Sequence, residues 1–270
     1  MALVDELVSG WSSHFASADR ELTWLDVERE HSMWLAPRVL LVGIVDAIGR
    51  TGDGDLFFGE WKTASGFDRK TWKQTWRLNV QSLTYGVLVR DLYPDCHRFT
   101  VRKAFKRPVS FDHAWFDYAD AELDHWKATL LEVAGEIHAY DDAVIHQERD
   151  GKRPWPTNFD ACFRYGPAYA CPFFEGGCSQ QQFDYVPAGA VKRESHLATE
   201  RDLLSKPLDS EGVIVLDATR VRTWFDCRER FRKQYVENVV EVAGEALLLG
   251  SEFHKQLAER YRGLQGESNG

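Results

Sequence analysis

The stretch "GDLFFGEWKTASG", residues 54–66, sets an apolar run, Leu56-Phe57-Phe58, against Gly59-Glu60-Trp61-Lys62. Successive side chains of a β-strand point to opposite faces, so Glu60 and Lys62 share one face and Trp61 takes the other. A carboxylate and an ammonium so placed are a solvated pair on most strands. Beside further carboxylates they become half of a metal-dependent hydrolytic site. The neighbouring segments decide between these readings.

Upstream, "LTWLDVEREHSMWL" (22–35) and "RVLLVGIVDAIGR" (38–50) read as consecutive strands joined by a Pro-containing turn, which makes 55–64 the third strand of a meander. Residues 3–19 pattern as an amphipathic helix. Downstream, 71–92 carries helical periodicity with an inward stripe of Leu78, Gln81, Tyr85, Leu88 and Leu92. "RFTVRKAFKR" (98–107) is expected as a fourth strand and 114–147 as mostly helix. Pro and Gly keep "WPTNFDACFRYGPAYACPFFEGGC" irregular. Residues 181–213 read as a polar linker, and 214–270 as two helices.

Composition bounds the answer. The 270 residues are 44% apolar and 28% charged, ordinary for a soluble globular chain with a substantial core. No apolar run is long enough to span a bilayer, and acidic residues in "MALVDELVSGW" stand where a secretory signal carries basic ones, so an intracellular, cytoplasmic setting is expected. A net charge of −9 argues against indiscriminate polyanion binding; a nucleic-acid partner needs a local basic surface. Five cysteines in a reducing compartment point toward metal rather than disulfides.

Asp46 ends the apolar strand "LLVGIVDAIG", and a hairpin sets it beside Glu60. Two adjacent carboxylates repel unless a cation lies between them, and an oxygen-rich pocket suits Mg²⁺ or Mn²⁺. Lys62 would then orient a water and stabilise charge developing on a phosphate. Gln81 and Tyr85 sit one turn apart on the stripe of the following helix, and a glutamine among apolar residues needs a hydrogen-bond partner.

"GIVDAIG", "GEWK" and "QSLTY" together resemble the motifs of the RecB-like branch of the PD-(D/E)XK nuclease superfamily, which includes CRISPR-associated and phage exonucleases. The resemblance implies an α/β, restriction-endonuclease-like core: a central mixed sheet flanked by helices. It also implies a bacterial or phage-encoded DNA exonuclease of recombination, repair, phage or CRISPR-related processing. Asp46 and Glu60 would hold the metal, Lys62 assist the water, and Gln81 and Tyr85 position the site. The alternative is a non-catalytic DNA-binding or assembly subunit that retains the fold.

Cys162, Cys171 and Cys178 lie close together, with Cys96 or Cys227 as a fourth. "TRVRTWFDCRERFRKQYV" is similar to the family segment whose cysteine completes a [4Fe–4S] cluster, so the resemblance implies Cys162, Cys171, Cys178 and Cys227 as ligands; a four-cysteine Zn²⁺ site is the alternative. "LLLGSEFHKQL" resembles the family's Gly-x-x-x-His helix, and the resemblance implies His254 as the remaining metal ligand. In the family that helix precedes the Asp motif; here it comes last. A circular permutant, in which 214–270 completes a core formed by 1–180, is favoured over a tandem fragment or a dimer exchanging ends. DNA contacts are expected at the basic residues Arg98, Arg102, Lys103, Arg220 and Arg222, with Trp61 stacking on bases.

Overall fold

The computed structural model describes residues 2–64, 71–147, 157–163, 170–174, 178, 185–192, 197–205, 213–241 and 244–267. Along the chain run α1 (Ala2–Asp19), β1 (Thr23–Ala36), β2 (Val39–Arg50), β3 (Leu56–Ala64), α2 (Trp72–Arg77), α3 (Val80–Leu92), β4 (Arg98–Lys106), β5 (Val109–Asp117) and α4 (Asp120–Gln147). There follow α5 (Phe159–Cys162), β6 (Ala190–Lys192), α6 (Ala198–Ser205), β7 (Ile214–Leu216), α7 (Ala218–Asp226) and α8 (Arg228–Phe231). A π-helical turn (Arg232–Val236), β8 (Val239–Glu241) and α9 (Glu245–Glu267) complete the order. It is an α/β chain that divides into two compact units: 1–33, 42–127 and 244–270 form one, and 34–41 with 128–243 the other.

In the first unit the strands lie in the order β1-β2-β3-β4-β5. β2 and β3 pair antiparallel, from Arg50 opposite Leu56 to Ala47 opposite Gly59. β3 and β4 run parallel, which requires the crossover that 71–92 provides. β5 returns antiparallel to β4 through a turn of two residues, Arg107 and Pro108, and its outer half alternates exposed with half-buried residues, as an edge strand does. β2 is buried along almost its whole length, as befits a central strand.

One face of the sheet is covered by two helices from opposite ends of the chain. Val4, Leu7, Trp11 and Phe15 of α1, spaced by three and four, pack with Phe253, Leu257, Ala258 and Tyr261 of α9 over Trp24, Phe57, Trp61 and Ala104. Trp61 stacks on Tyr261 with ring centroids 4.6 Å apart. The polar atoms of this core are paired: Trp11 donates to the Tyr261 hydroxyl at 2.9 Å, Tyr261 donates to Asp19 at 2.9 Å, and Arg102 donates to Asp19 at 2.5 Å. Burial of an ion pair is tolerable on those terms.

In the second unit, Val39–Leu41 at the hairpin end of β2 pair in parallel with β7. Asp217 caps α7 by accepting the Arg220 backbone N–H at 2.8 Å, and buried Trp224 donates to Glu136 at 3.0 Å. Among the described residues no helix is long and apolar enough to cross a membrane.

Four expectations need correction. The helical stretch 71–92 is two helices, because Asn79 takes an extended conformation and caps α3 by accepting the Gln81 N–H. Leu78 and Leu92, assigned to the inward stripe, are 67% and 45% exposed. Residues 109–117 are a strand, where helix was expected from 114. The stretch 181–213 contains α6 and β6, which pairs with β8, so its described parts are structured and group with the cysteine segment.

Candidate metal centre

The ladder between β2 and β3 stops at Ala47 and Gly59, and the next residues along each strand are Asp46 and Glu60. The Asp46 carboxylate instead accepts the Trp61 backbone N–H at 2.6 Å. That bond fixes Asp46 at the strand end, while Glu60, opposite in face to Trp61, turns toward α3. There Gln81 Nε2 donates to Glu60 Oε1 at 2.7 Å and reaches the Tyr85 hydroxyl at 3.3 Å. Lys62 donates to the same Oε1. Glu60 Oε2 is buried without a hydrogen-bond partner.

His254 comes from α9, on the Trp61 face. Its Nδ1 lies 3.6 Å from Asp46 Oδ2 and 3.0 Å from Glu28 Oε1. Glu28 and His254 are 226 residues apart in sequence. Helices on both faces of the sheet thus converge at one strand end, and Asp46, Glu60, Lys62, Gln81, Tyr85 and His254 are brought together within one chain.

Among the described residues, one set of three metal-capable ligand atoms lies within 4.8 Å of one another: Glu28, Asp46 and His254. Glu60, expected in that role, lies outside the set, and Glu28 stands in it. Glu28 has a left-handed backbone, φ 48°, in the middle of β1. A non-glycine residue there is strained, by about 1–2 kcal/mol. Buried β1 positions fall at Trp24, Val27, His31 and Met33, a spacing no period-two reading produces.

The electrostatics follow from burial. Burial first, and then Asp46, push the Glu60 carboxyl up to about 7. Burial likewise raises Asp46, opposed by His254 and Lys62. Burial pulls His254 down, but Asp46 and the Glu28 hydrogen bond outweigh it and carry the imidazole up to about 9. Within the chain, His254 and Lys62 therefore balance the carboxylates. Carboxylates with one imidazole, and an orphaned carboxylate oxygen beside them, are a donor set that suits Mg²⁺ or Mn²⁺.

Four of the five cysteines lie in the second unit. Cys162, Cys178 and Cys227 are buried and Cys171 half-buried. Burial first, then the neighbouring thiols of Cys171, Cys227 and Cys178, push Cys162 up to about 12. Cys171 N–H donates to Cys162 O at 2.8 Å, and Asn158 N–H contacts the Cys227 sulfur at 3.5 Å. The four thiols are thus neighbours without closing into a tight set. Cys96 stands apart in the first unit, its thiol raised to about 12 by burial.

The residues expected to touch DNA are mostly elsewhere occupied, which corrects that assignment. Trp61 is 1% exposed, in the core between Trp11 and Tyr261. Arg102 is buried on Asp19 and Tyr261, Lys103 is buried over the Trp72 and Phe105 rings, and Arg220 is buried on Glu200 and Asp217. Arg98 bridges Asp55 and Asp117. Arg222 is exposed on α7, in the second unit.

No protein-family model and no curated protein matches the chain at a significant level. A solved structure described as "Crystal structure of SSO0001" is similar over 48% of this chain and 58% of that one, at 12% identity and a TM-score of 0.28. A likeness so shallow carries no argument.

Proposed function

We propose that this chain is a metal-dependent deoxyribonuclease of the RecB-like type, hydrolysing phosphodiester bonds at the strand end that carries Asp46 and Glu60. The observation that carries the reading is His254, 3.6 Å from Asp46 although the two lie on elements at opposite ends of the chain. A bound Mg²⁺ or Mn²⁺ supplies Lewis acidity toward a phosphoryl oxygen and a water. Asp46 and His254, with Glu28 or the open oxygen of Glu60, would hold it. Gln81 and Tyr85 keep Glu60 in its rotamer. The Lys62 ammonium, half-exposed to the cleft, stabilises the negative charge that builds as water adds to phosphorus and the bridging oxygen leaves. The convergence of α9 on β2 and β3 also supports the circularly permuted order of motifs. Cys162, Cys171, Cys178 and Cys227 supply a thiol set suited to a [4Fe–4S] cluster or, alternatively, to Zn²⁺.

The reading is tested by Glu60→Ala and Lys62→Ala. Each is expected to lower Mn²⁺-dependent degradation of single-stranded DNA by at least about a hundredfold, with an unchanged far-UV circular dichroism spectrum. Retained cleavage by both variants removes these residues from the mechanism. DNA binding by the unaltered chain without any metal-dependent turnover favours the non-catalytic subunit instead.

A further inference from the structure

Beside the metal candidates lies a cleft of about 740 Å³, one wall of which is α9. Ser251, His254, Lys255, Ala258 and Arg262 all line it, at intervals that make one continuous stripe along a helix. His254 belongs to the centre already described. The rest of the stripe has no part in that chemistry, yet two of its members are cations.

Lys255 and Arg262 are exposed, and neither forms an ion pair or hydrogen bond with a described residue. This sets them apart from Arg98, Arg102 and Arg220, each held by acidic partners. On a chain of net charge −9, cations left unpaired and directed into a cleft mark where an anion is expected. Seven residues of helix separate them by about 10 Å, the rise of about three nucleotides in a B-form strand. Ser251 lies one turn before Lys255 on the same line; its hydroxyl donates to the Leu247 carbonyl at 3.1 Å and must turn outward to meet a phosphate. Leu247, 64% exposed, stands at the far end of the wall and offers an apolar surface to a base. Glu259 also lines the cleft and opposes the two cations.

We infer that Ser251, Lys255 and Arg262 form the track on which a single polynucleotide strand lays its phosphates as it passes the metal centre. The inference rests on the phosphodiesterase reading and names the part of the substrate that the site must grip. Asp46 and Glu60 are 5% and 1% exposed, so a phosphate must descend into the cleft to reach them. A single strand does this by rotation about its backbone, whereas a duplex is stiff over about 50 nm.

The test is fluorescence anisotropy of a labelled oligothymidylate of twenty nucleotides, in EDTA so that nothing is cleaved, across a range of salt concentrations. The double variant Lys255→Ala/Arg262→Ala is expected to bind at least about tenfold more weakly. Its log K against log[salt] slope should fall by about 1.4, the loss of two phosphate contacts on a single strand. Glu259→Gln is expected to bind more tightly than the unaltered chain. All three positions are exposed, so circular dichroism should not change. Unchanged affinity and slope in the double variant would overturn the track while leaving the nuclease reading intact. Failure of the unaltered chain to bind the oligonucleotide would overturn both. Tighter binding of a duplex of equal length, with the same loss of slope, would overturn the assignment to a single strand.

Discussion

Glu60 has two carboxylate oxygens in unequal circumstances. One accepts from Gln81 and Lys62; the other is buried with no partner. A buried acceptor left open costs about 1–3 kcal/mol, which a cation repays. Glu60→Gln removes the charge while keeping the shape. In EDTA this variant is expected to be more stable to urea than the unaltered chain by about 1 kcal/mol. Saturating Mn²⁺, at a hundred times its Kd, should stabilise the unaltered chain by about 2.7 kcal/mol and the variant far less. Equal Mn²⁺ stabilisation of both would remove Glu60 from the centre. Glu28 holds His254 at 3.0 Å, so Glu28→Ala is expected to weaken Mn²⁺ binding by about 10–100-fold in a calorimetric titration. Unaltered affinity would make Glu28 a bystander. Asp46, Glu60, Lys62 and Gln81 were legible in the sequence because strand alternation and helix spacing fix their faces. Glu28 was not, because the buried positions of β1 slip out of phase between Trp24 and Val27, so alternation does not give its face.

At the scale of elements, the crossover 71–92 carries much of the arrangement. Asn79 ends one helix and begins the next by accepting the Gln81 N–H, so the cap and the Glu60 partner are two residues apart. Asn79→Ala is expected to cost about 1 kcal/mol in urea denaturation and to weaken Mn²⁺ binding with it. A full-strength Mn²⁺ response would show that Gln81 does not depend on the cap. The apolar periodicity of 71–92 spans both helices, which is why the break was invisible to it; the signal was Asn79 itself, a favoured cap residue. β5 was missed for a different reason. Its turn from β4 uses Arg107 and Pro108 rather than the Asn-Gly or Asp-Gly pair that announces a hairpin. Strands β1 to β4, with apolar runs and turn residues between them, were plain.

For the whole molecule, α9 belongs both to the core and to the candidate centre. Phe253, Leu257 and Tyr261 are fully buried in the core beside α1, and His254 on the same helix meets Asp46. Leu257→Ala is therefore expected to cost about 2–5 kcal/mol, read as a lowered urea midpoint at unchanged slope. A loss under 1 kcal/mol would show that α9 is not integral to the core. That the last helix completes the first unit was suggested by the Gly-x-x-x-His pattern, but no periodicity could give the distance; chain order hides contacts of long sequence separation. The same blindness affected the basic residues. A sequence shows that Arg102 and Arg220 are charged, not that Asp19 and Glu200 already hold them.

The central claim is that His254 shares one cation with carboxylates from the far end of the chain. Crystals soaked in Mn²⁺ and measured at the manganese absorption edge test it directly. The account predicts an anomalous peak at Asp46 and His254, flanked by Glu28 and Glu60, which vanishes in His254→Ala. A peak elsewhere in the first unit, or undiminished density at Asp46 in that variant, would contradict it.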